Sequence, residues 1–362
     1  MKFTFMCKKE MVQSAGPHGR GKVAIVGAGS AGLVAAGYLV CQGYEVDVYD
    51  KLPLPGGLMT FAIPAFRISI KSVMEGFEDL RDNFSVKFIL NTKIFKKDGV
   101  RHDEGDEFVK NVIDLKELVD SYDAVLITTG TWRSRKMNIP REDSKGIYTA
   151  LEYLFMLRSY SMGYSEHKPP KARKVVVIGG GLSAIDAAEE SMLLGADEVY
   201  LVYRRTINEA PAGPFEINRL RRLGIRWMEL VQPKKFIADA SDRVKEVELI
   251  RMRLGELDSS GRPRPIPIEG SEFTLEADIV IVAIGELPTP PTQEEYLGIK
   301  LDRRGRILVN EKYRTGNEKV FAAGDVVSGP SKVGNAVSLG LNAAMNMHLY
   351  LTSKRLTEGR GW

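Results

Sequence analysis

The stretch from Lys22 to Asp50 constrains this chain more than any other. Lys22-Val-Ala-Ile-Val26 is a short apolar run with the length and β-branched content of a buried strand. It leads straight into Gly27-Ala-Gly29-Ser30-Ala31-Gly32, and residues 33–40 then read as a helix. A second strand over 45–49 ends on Asp50. Strand, G-x-G-x-x-G, helix, strand and acid, in that order, make a dinucleotide-binding βαβ unit. Gly27 takes the tight turn, Gly29 lets backbone approach a pyrophosphate, and Gly32 lets the helix pack close on the strand. The helix N-terminus faces the phosphate charge, and Asp50 can accept hydrogen bonds from a ribose 2′-hydroxyl.

The pattern then repeats. Residues 174–178 form a strand, Gly179-Gly-Gly181-Leu182-Ser183-Ala184 the turn, 185–194 a helix and 198–203 the second strand. This is G-x-G-x-x-A, a permitted variant. Where the first unit has Asp50, the second has Arg204-Arg205. An acid there favours a free ribose hydroxyl, whereas arginine favours a 2′-phosphate. Opposite charges at matching positions predict two ligands, FAD in the first unit and NADP in the second. Both units also close alike, on Asp123 through Thr129 to Gly130 and on Asp278 to Gly285. The duplication predicts an α/β chain of two Rossmann-like dinucleotide-binding domains.

Between these landmarks the expectations are local. Lys51 to Arg67 is dense in Pro and Gly and reads as a constrained loop, with Gly56-Gly57 letting backbone approach a cofactor. Residues 69–83 read as an amphipathic helix, 86–90 as a strand, and 103–107 as a solvated acidic turn. The polar, proline-punctuated stretch 131–147 reads as an interdomain linker. Residues 211–223 are expected to be helical and 225–230 extended. Strands at 244–254 and 273–275 should flank a proline-rich loop at 262–267. The cluster Arg219, Arg221, Arg222, Arg226 reads as a solvated face, with docking as the alternative. Strands at 305–309 and from Lys319 precede Gly324-Asp325, and a helix covers 333–351. Gly324-Asp325 puts a carboxylate at the end of a sheet, within reach of a ribitol or pyrophosphate. If this tail returns to the first domain, 1–140 and 286–362 hold FAD and the NAD(P)H domain, 141–285, is inserted between them.

Composition narrows the function. The net charge of +4 is too small to argue for nucleic acid, and no apolar run approaches the roughly 18 residues of a membrane span. The first ten residues lack the apolar core of a signal peptide. Cys7 and Cys41 stand far apart in no motif, too few for an iron–sulfur cluster or structural zinc. Their scarcity reads as a reducing, cytoplasmic setting. Gly16 to Lys22 mimics P-loop spacing, but Val23 replaces the magnesium-binding hydroxyl and a strand follows instead of a helix. No Cys-x-x-Cys follows either glycine motif, which excludes thioredoxin-reductase-type chemistry, and none of the four histidines neighbours a nucleophile motif. Hydride transfer needs no dedicated acid or base.

Taken together, the motifs at 27–32, 56–64, 179–186, 203–205 and 323–325 resemble the two-dinucleotide-binding-domain flavoproteins. Within them the chain is most similar to the glutamate synthase small (beta) subunit and NADPH:ferredoxin-type oxidoreductase subunits, over about residues 20–350. The resemblance implies FAD held by Gly27, Gly29, Ser30, Ala31, Gly32, Asp50, Lys51, Gly56, Gly57, Leu58, Thr129, Gly130, Gly324 and Asp325. The N-terminus of the last helix, at Val333, would lie against the flavin. NADPH would be held by Gly179, Gly181, Leu182, Ser183, Arg204, Arg205 and Gly285. Such a chain passes electrons from NADPH through FAD to a protein partner, ferredoxin or a large catalytic subunit, within a hetero- or homo-oligomer. The alternatives are a non-catalytic nucleotide-binding subunit and a stand-alone NAD(P)H oxidase or quinone reductase. Two departures stand out. The family's cysteine-rich N-terminal region has no counterpart here, and Leu339 and Leu341 replace two charges usual in the last helix, marking either a subunit contact or core packing.

Overall fold

The computed structural model describes Cys7 and residues 20–99, 101–258 and 261–357; most of the P-loop-like stretch at 16–22 lies outside them. The chain divides into two compact units, Met1–Arg133 with Glu286–Trp362, and Ser134–Gly285.

In the first unit β1 (Lys22–Val26) feeds α1 (Ser30–Cys41), which returns to β2 (Glu45–Tyr49). A helical turn α2 (Leu58–Phe61) and the amphipathic α3 (Ile70–Phe84) lead to β3 (Lys87–Ile89). After short strands at Thr92–Ile94 and Asn111–Ile113, β4 (Ala124–Ile127) and β5 (Val320–Ala322) complete a five-stranded parallel sheet. Its order is β5-β4-β1-β2-β3, with Ile25 opposite Val48 on one side and Leu126 on the other. Both faces are covered, so the strands are apolar throughout: Val23, Ala24 and Ile25 are fully buried. Turn α8 (Asp325–Ser328) and the long α9 (Val333–Thr357) follow β5.

The second unit repeats this plan. Its sheet takes β6 (Ile147–Thr149) at one edge, then β12 (Ile279–Val282), β7 (Lys174–Ile178), β8 (Glu198–Tyr203) and β9 (Arg226–Glu229), all parallel. Helices Ala150–Ser161, Leu182–Leu193 and Gly213–Arg222 belong to the same unit. An antiparallel sheet joins β10 (Val231–Ala238) to the long β11 (Val244–Leu257), which also pairs with Pro263–Pro267 and Phe273–Glu276. Closing aspartates anchor both duplicated sheets identically. Asp123 accepts the N–H of Lys22 at 2.7 Å, and Asp278 accepts that of Lys174 at 2.9 Å.

Several expectations are corrected. The 51–67 loop contains the turn α2, because its N–H groups from Met59 to Ala62 find carbonyls one turn back. The proline-rich stretch is a strand, tolerated because it lies at the end of its sheet path, where a missing N–H costs little. Residues 305–309 form only a bridge between Leu301 and Ile307. Cys7 and Cys41 form a disulfide, which ties residue 7 to the last residue of α1 and withdraws the cysteine argument for a reducing compartment. Leu339 packs against the main core of the first unit, and Leu341 is half-buried. Between them Gly340 meets α1: a Cβ there would lie 2.3 Å from the Ala31 carbonyl oxygen.

Candidate functional site

In each unit the glycine loop sits where the first strand ends and its helix begins, at the carboxyl edge of a parallel sheet. Gly27, at φ +108°, turns so close to β4 that a Cβ would lie 2.4 Å from the Thr128 carbonyl oxygen. Gly32 is tighter still, since its Cβ would sit 1.9 Å from the Gly27 carbonyl oxygen. Gly29 is different: nothing of the protein lies within 4 Å of where its Cβ would be. The second unit copies this division. A Cβ on Gly179 would lie 2.2 Å from the Ala283 carbonyl oxygen, while Gly181 faces open space. Gly27, Gly32 and Gly179 are required by packing, and Gly29 and Gly181 leave room for something outside the protein. Ser30 and Ala31 begin α1, and Leu182 and Ser183 begin the matching helix.

The other residues expected in the first unit gather around that loop. Asp50 is buried, and its carboxylate accepts the Ala28 N–H at 2.6 Å and the Leu52 N–H at 2.9 Å. Burial pushes its carboxyl above the usual range, with those two hydrogen bonds opposing. Gly56 donates to the Ala28 carbonyl at 2.8 Å, and a Cβ on Gly57 would lie 3.1 Å from the Gly29 Cα. Leu58 begins α2 beside them. Gly324 packs on the Ala31 Cβ, and Asp325 accepts the Ser331 hydroxyl at 2.6 Å, its carboxyl raised by burial. Val333 begins α9, which Gly340 holds against α1. After β4, Gly130 follows Thr129, whose buried hydroxyl oxygen has no hydrogen-bond partner among the described residues.

Thr129 lines a pocket beside Asp50 that sequence reasoning missed. Ile94, Phe95, Trp132, Thr289, Pro290 and Pro291 supply much of the wall. A buried charge network supplies the rest. The Lys51 ammonium pairs with Asp106 at 2.9 Å and lies 5.0 Å from the Trp132 ring centroid. Lys93 also pairs with Asp106 and lies 3.6 Å from Asp103, which Arg101 holds at 2.9 Å. Burial lowers the ammonium of Lys51 from its ordinary value. Burial raises the carboxyl of Asp106, but Lys51 and Lys93 outweigh it and hold it below the usual range. One correction follows. The acidic turn at 103–107 is no solvated turn, because Asp103 and Asp106 neutralise three inward-facing cations. Lys51 lines the pocket, with its ammonium on Asp106 and the Glu104 carbonyl.

In the second unit Gly285, at φ +106°, follows β12, and its carbonyl accepts the Arg135 N–H at 2.9 Å. The two arginines after β8 point to different fates. Arg204 is exposed; burial of part of its side chain, with Arg205 and Arg262 nearby, lowers its guanidinium from the ordinary value. Arg205 is 2% exposed, and it donates to Asp258 at 2.6 Å and to the Pro263 carbonyl at 2.7 Å. The expected arginine pair thus differs in setting: Arg204 is exposed, and Arg205 is turned inward and ion-paired. The downstream arginines are ion-paired, Arg219 with Glu189 and Glu216, Arg221 with Glu229, and Arg226 with Glu198.

The first glycine cradle, the unpartnered Thr129 hydroxyl and the carboxylate beside that loop fit FAD in the first unit. The open Gly181 and exposed Arg204 fit a phosphorylated dinucleotide in the second. Among the described residues no group of three or more His, Cys, Asp or Glu could hold a metal ion, and no helix is long and apolar enough to cross a membrane.

Known proteins share this organisation. The chain is 35% identical to the glutamate synthase [NADPH] small chain of Halomonas elongata, over 91% of this chain and 68% of that one. It is 35% identical to the NADPH-Fe(3+) oxidoreductase subunit beta of Geobacter sulfurreducens, over 94% of this chain and 52% of that one. The chain thus spans about two thirds and about half of these relatives. FprA of Mycobacterium tuberculosis, solved in complex with NADPH, shares the fold at a TM-score of 0.75 and 21% identity, over 94% of this chain and 86% of that one. The pyridine nucleotide-disulphide oxidoreductase pattern runs from residue 21 to 340, through both cradles and the Gly324-Asp325 return, and the chain belongs to that family.

Proposed function

We infer that this chain is a flavoprotein that takes a hydride from NADPH and passes the electrons to a protein partner. One observation carries the reading: two copies of one glycine cradle end in opposite charge, a buried Asp50 in the first and an exposed Arg204 in the second. A carboxylate suits a ribose bearing free hydroxyls and repels a phosphate, while a guanidinium does the reverse. FAD would lie on Gly27, Gly29, Ser30, Ala31 and Gly32, with Asp50 toward the adenosine ribose. Gly56, Gly57, Leu58, Thr129, Gly130, Gly324 and Asp325 would border it, and the N–H groups at Val333 would face its flavin end. NADPH would lie on Gly179, Gly181, Leu182 and Ser183, with Arg204 toward its 2′-phosphate and Gly285 beside it. When bound, FAD supplies the chemistry that couples a two-electron donor to a separate acceptor. This chain's residues bind and orient, and α9 offers its positive end to charge on the flavin.

The partner is read from the relatives, whose printed names make them a small chain and a subunit beta. A ferredoxin or a large catalytic subunit fits that pattern. The binding half of this reading is tested by loading the purified chain with FAD and removing free flavin. The expected result is FAD retained in equimolar amount and NADPH bound more tightly than NADH. A chain that retains no flavin, or binds the two nicotinamides alike, contradicts it.

A further inference from the structure

We propose that the Cys7–Cys41 disulfide is a thiol–disulfide exchange site for a dithiol reductant, and that its opening loosens the glycine loop of the first unit. Resting on the FAD reading of that unit, the same opening weakens its hold on FAD. The bond joins residues 34 positions apart, and Cys41 is the last residue of α1. The covalent ring it closes therefore contains β1, the whole glycine loop from Gly27 to Gly32, and α1. Both cysteines pack against the first unit's core, and both are half-buried, so neither is sealed from a small thiol.

The two sulfurs differ as leaving groups. Lys8 and Lys9 follow Cys7 in the chain, and cations so near favour its thiolate. Cys41 sits at the carboxyl end of a helix with no basic residue in its last turn, where the helix dipole disfavours a thiolate. The more acidic thiol leaves faster. The reductant's thiolate therefore attacks the Cys41 sulfur. The S–S bond breaks, and Cys7 departs with the electron pair and takes up the proton that the first thiol lost. The reductant's second thiol then attacks the mixed disulfide and releases Cys41, which takes the second proton. The dithiol ends as a disulfide, two electrons poorer, and the chain ends with two thiols.

Non-covalent contacts remain at this end of α1. The Tyr44 hydroxyl and His348 Nδ1 lie 3.0 Å apart, and the Tyr38 ring meets the His348 ring edge-on at 6.3 Å. These contacts keep α1 on α9, so the reduced chain stays folded. What is lost is the ring that limits opening of β1, loop and helix together. The change acts on the other end of α1 as well, about 18 Å away, where Ser30 and Ala31 start the helix at the glycine loop.

The test compares the full chain, FAD-loaded and FAD-free, before and after dithiothreitol, with the Cys7→Ser/Cys41→Ser double variant as control. Dithiothreitol under native conditions should free two thiols, speed amide hydrogen exchange across residues 22–41 of the FAD-free chain, and release FAD about tenfold faster. Reoxidation should reverse all three. The double variant should match the reduced parent and ignore dithiothreitol. Glutathione, a monothiol, should be trapped on Cys41 with Cys7 left free, as read by peptide mass. A bond that opens only in urea, or that opens without changing amide exchange across 22–41, overturns the proposal. Glutathione found on Cys7 overturns the direction of attack. FAD release that is unchanged by reduction, or that dithiothreitol speeds equally in the double variant, overturns the link between the bond and FAD. A parent that retains no FAD in either state, while its amide exchange still answers to dithiothreitol, removes the FAD reading and leaves the exchange site standing.

Discussion

Gly29→Ala is expected to unfold like the parent chain when free of FAD, within about 0.5 kcal/mol, and to bind FAD roughly ten- to a hundredfold more weakly. Gly32→Ala, three residues on, is expected to do the opposite kind of damage and lose more than about 3 kcal/mol of stability before any cofactor is added. The difference lies in what each new methyl meets. At 29 it enters space that no protein atom occupies, so it acts only against what binds there. At 32 it meets the Gly27 carbonyl oxygen at 1.9 Å, and that oxygen also accepts the Thr128 hydroxyl at 2.9 Å, so neither side can yield. Urea unfolding of the FAD-free proteins, followed by flavin titration, separates the two. Equal loss of stability in both variants would mean that the glycine loop is not divided as described. The second unit carries Ala184, fully buried, where the first has Gly32.

The second large effect is expected at Asp106, whose carboxylate joins Lys51 to Lys93 beside the Asp50 pocket. Asp106→Ala leaves two cations inside the protein with less countercharge, a change that typically costs about 3–5 kcal/mol. The same network sets a pH dependence. The Asp106 carboxyl is held below the ordinary carboxylate range in the folded chain, so its ionised form stabilises the fold above that range. The contribution is lost as pH falls through the depressed value, because the proton must then be accommodated against Lys51 and Lys93. Comparing urea midpoints of the parent and Asp106→Asn between neutral and acid pH measures this directly. The gap between them should narrow on acidification, and a gap that stays constant would show that Asp106 carries no such linkage.

Much of this architecture was legible because the elements that matter are written locally. A strand of five apolar residues, a glycine turn and an acid or arginine at the next strand's end occupy about thirty consecutive positions, and the backbone obeys them. The second cradle was legible as a copy of the first, down to the closing aspartates. What escaped were side-chain commitments between distant segments. The sequence around Arg205 gives no sign of its bond to Asp258, 53 residues on. The acidic turn reads as solvated until Lys51, 55 residues before Asp106, is buried against it. Cys7 and Cys41, separated by 34 positions, carry no spacing that announces a bond. The proline-rich strand was missed for another reason: proline weakens a strand signal everywhere except at a sheet edge, and edges are set by tertiary order. Lys51 gave a hint, since a lysine next to a buried acid needs its own countercharge.

The central claim is that this one chain holds both the donor and the acceptor of a hydride, in two cradles of opposite charge. It is tested most directly by adding NADPH to the FAD-loaded chain without oxygen and without any partner, and following the visible flavin absorbance. The expected result is loss of that absorbance, faster with NADPH than with NADH. Flavin absorbance that persists with NADPH present would contradict the account.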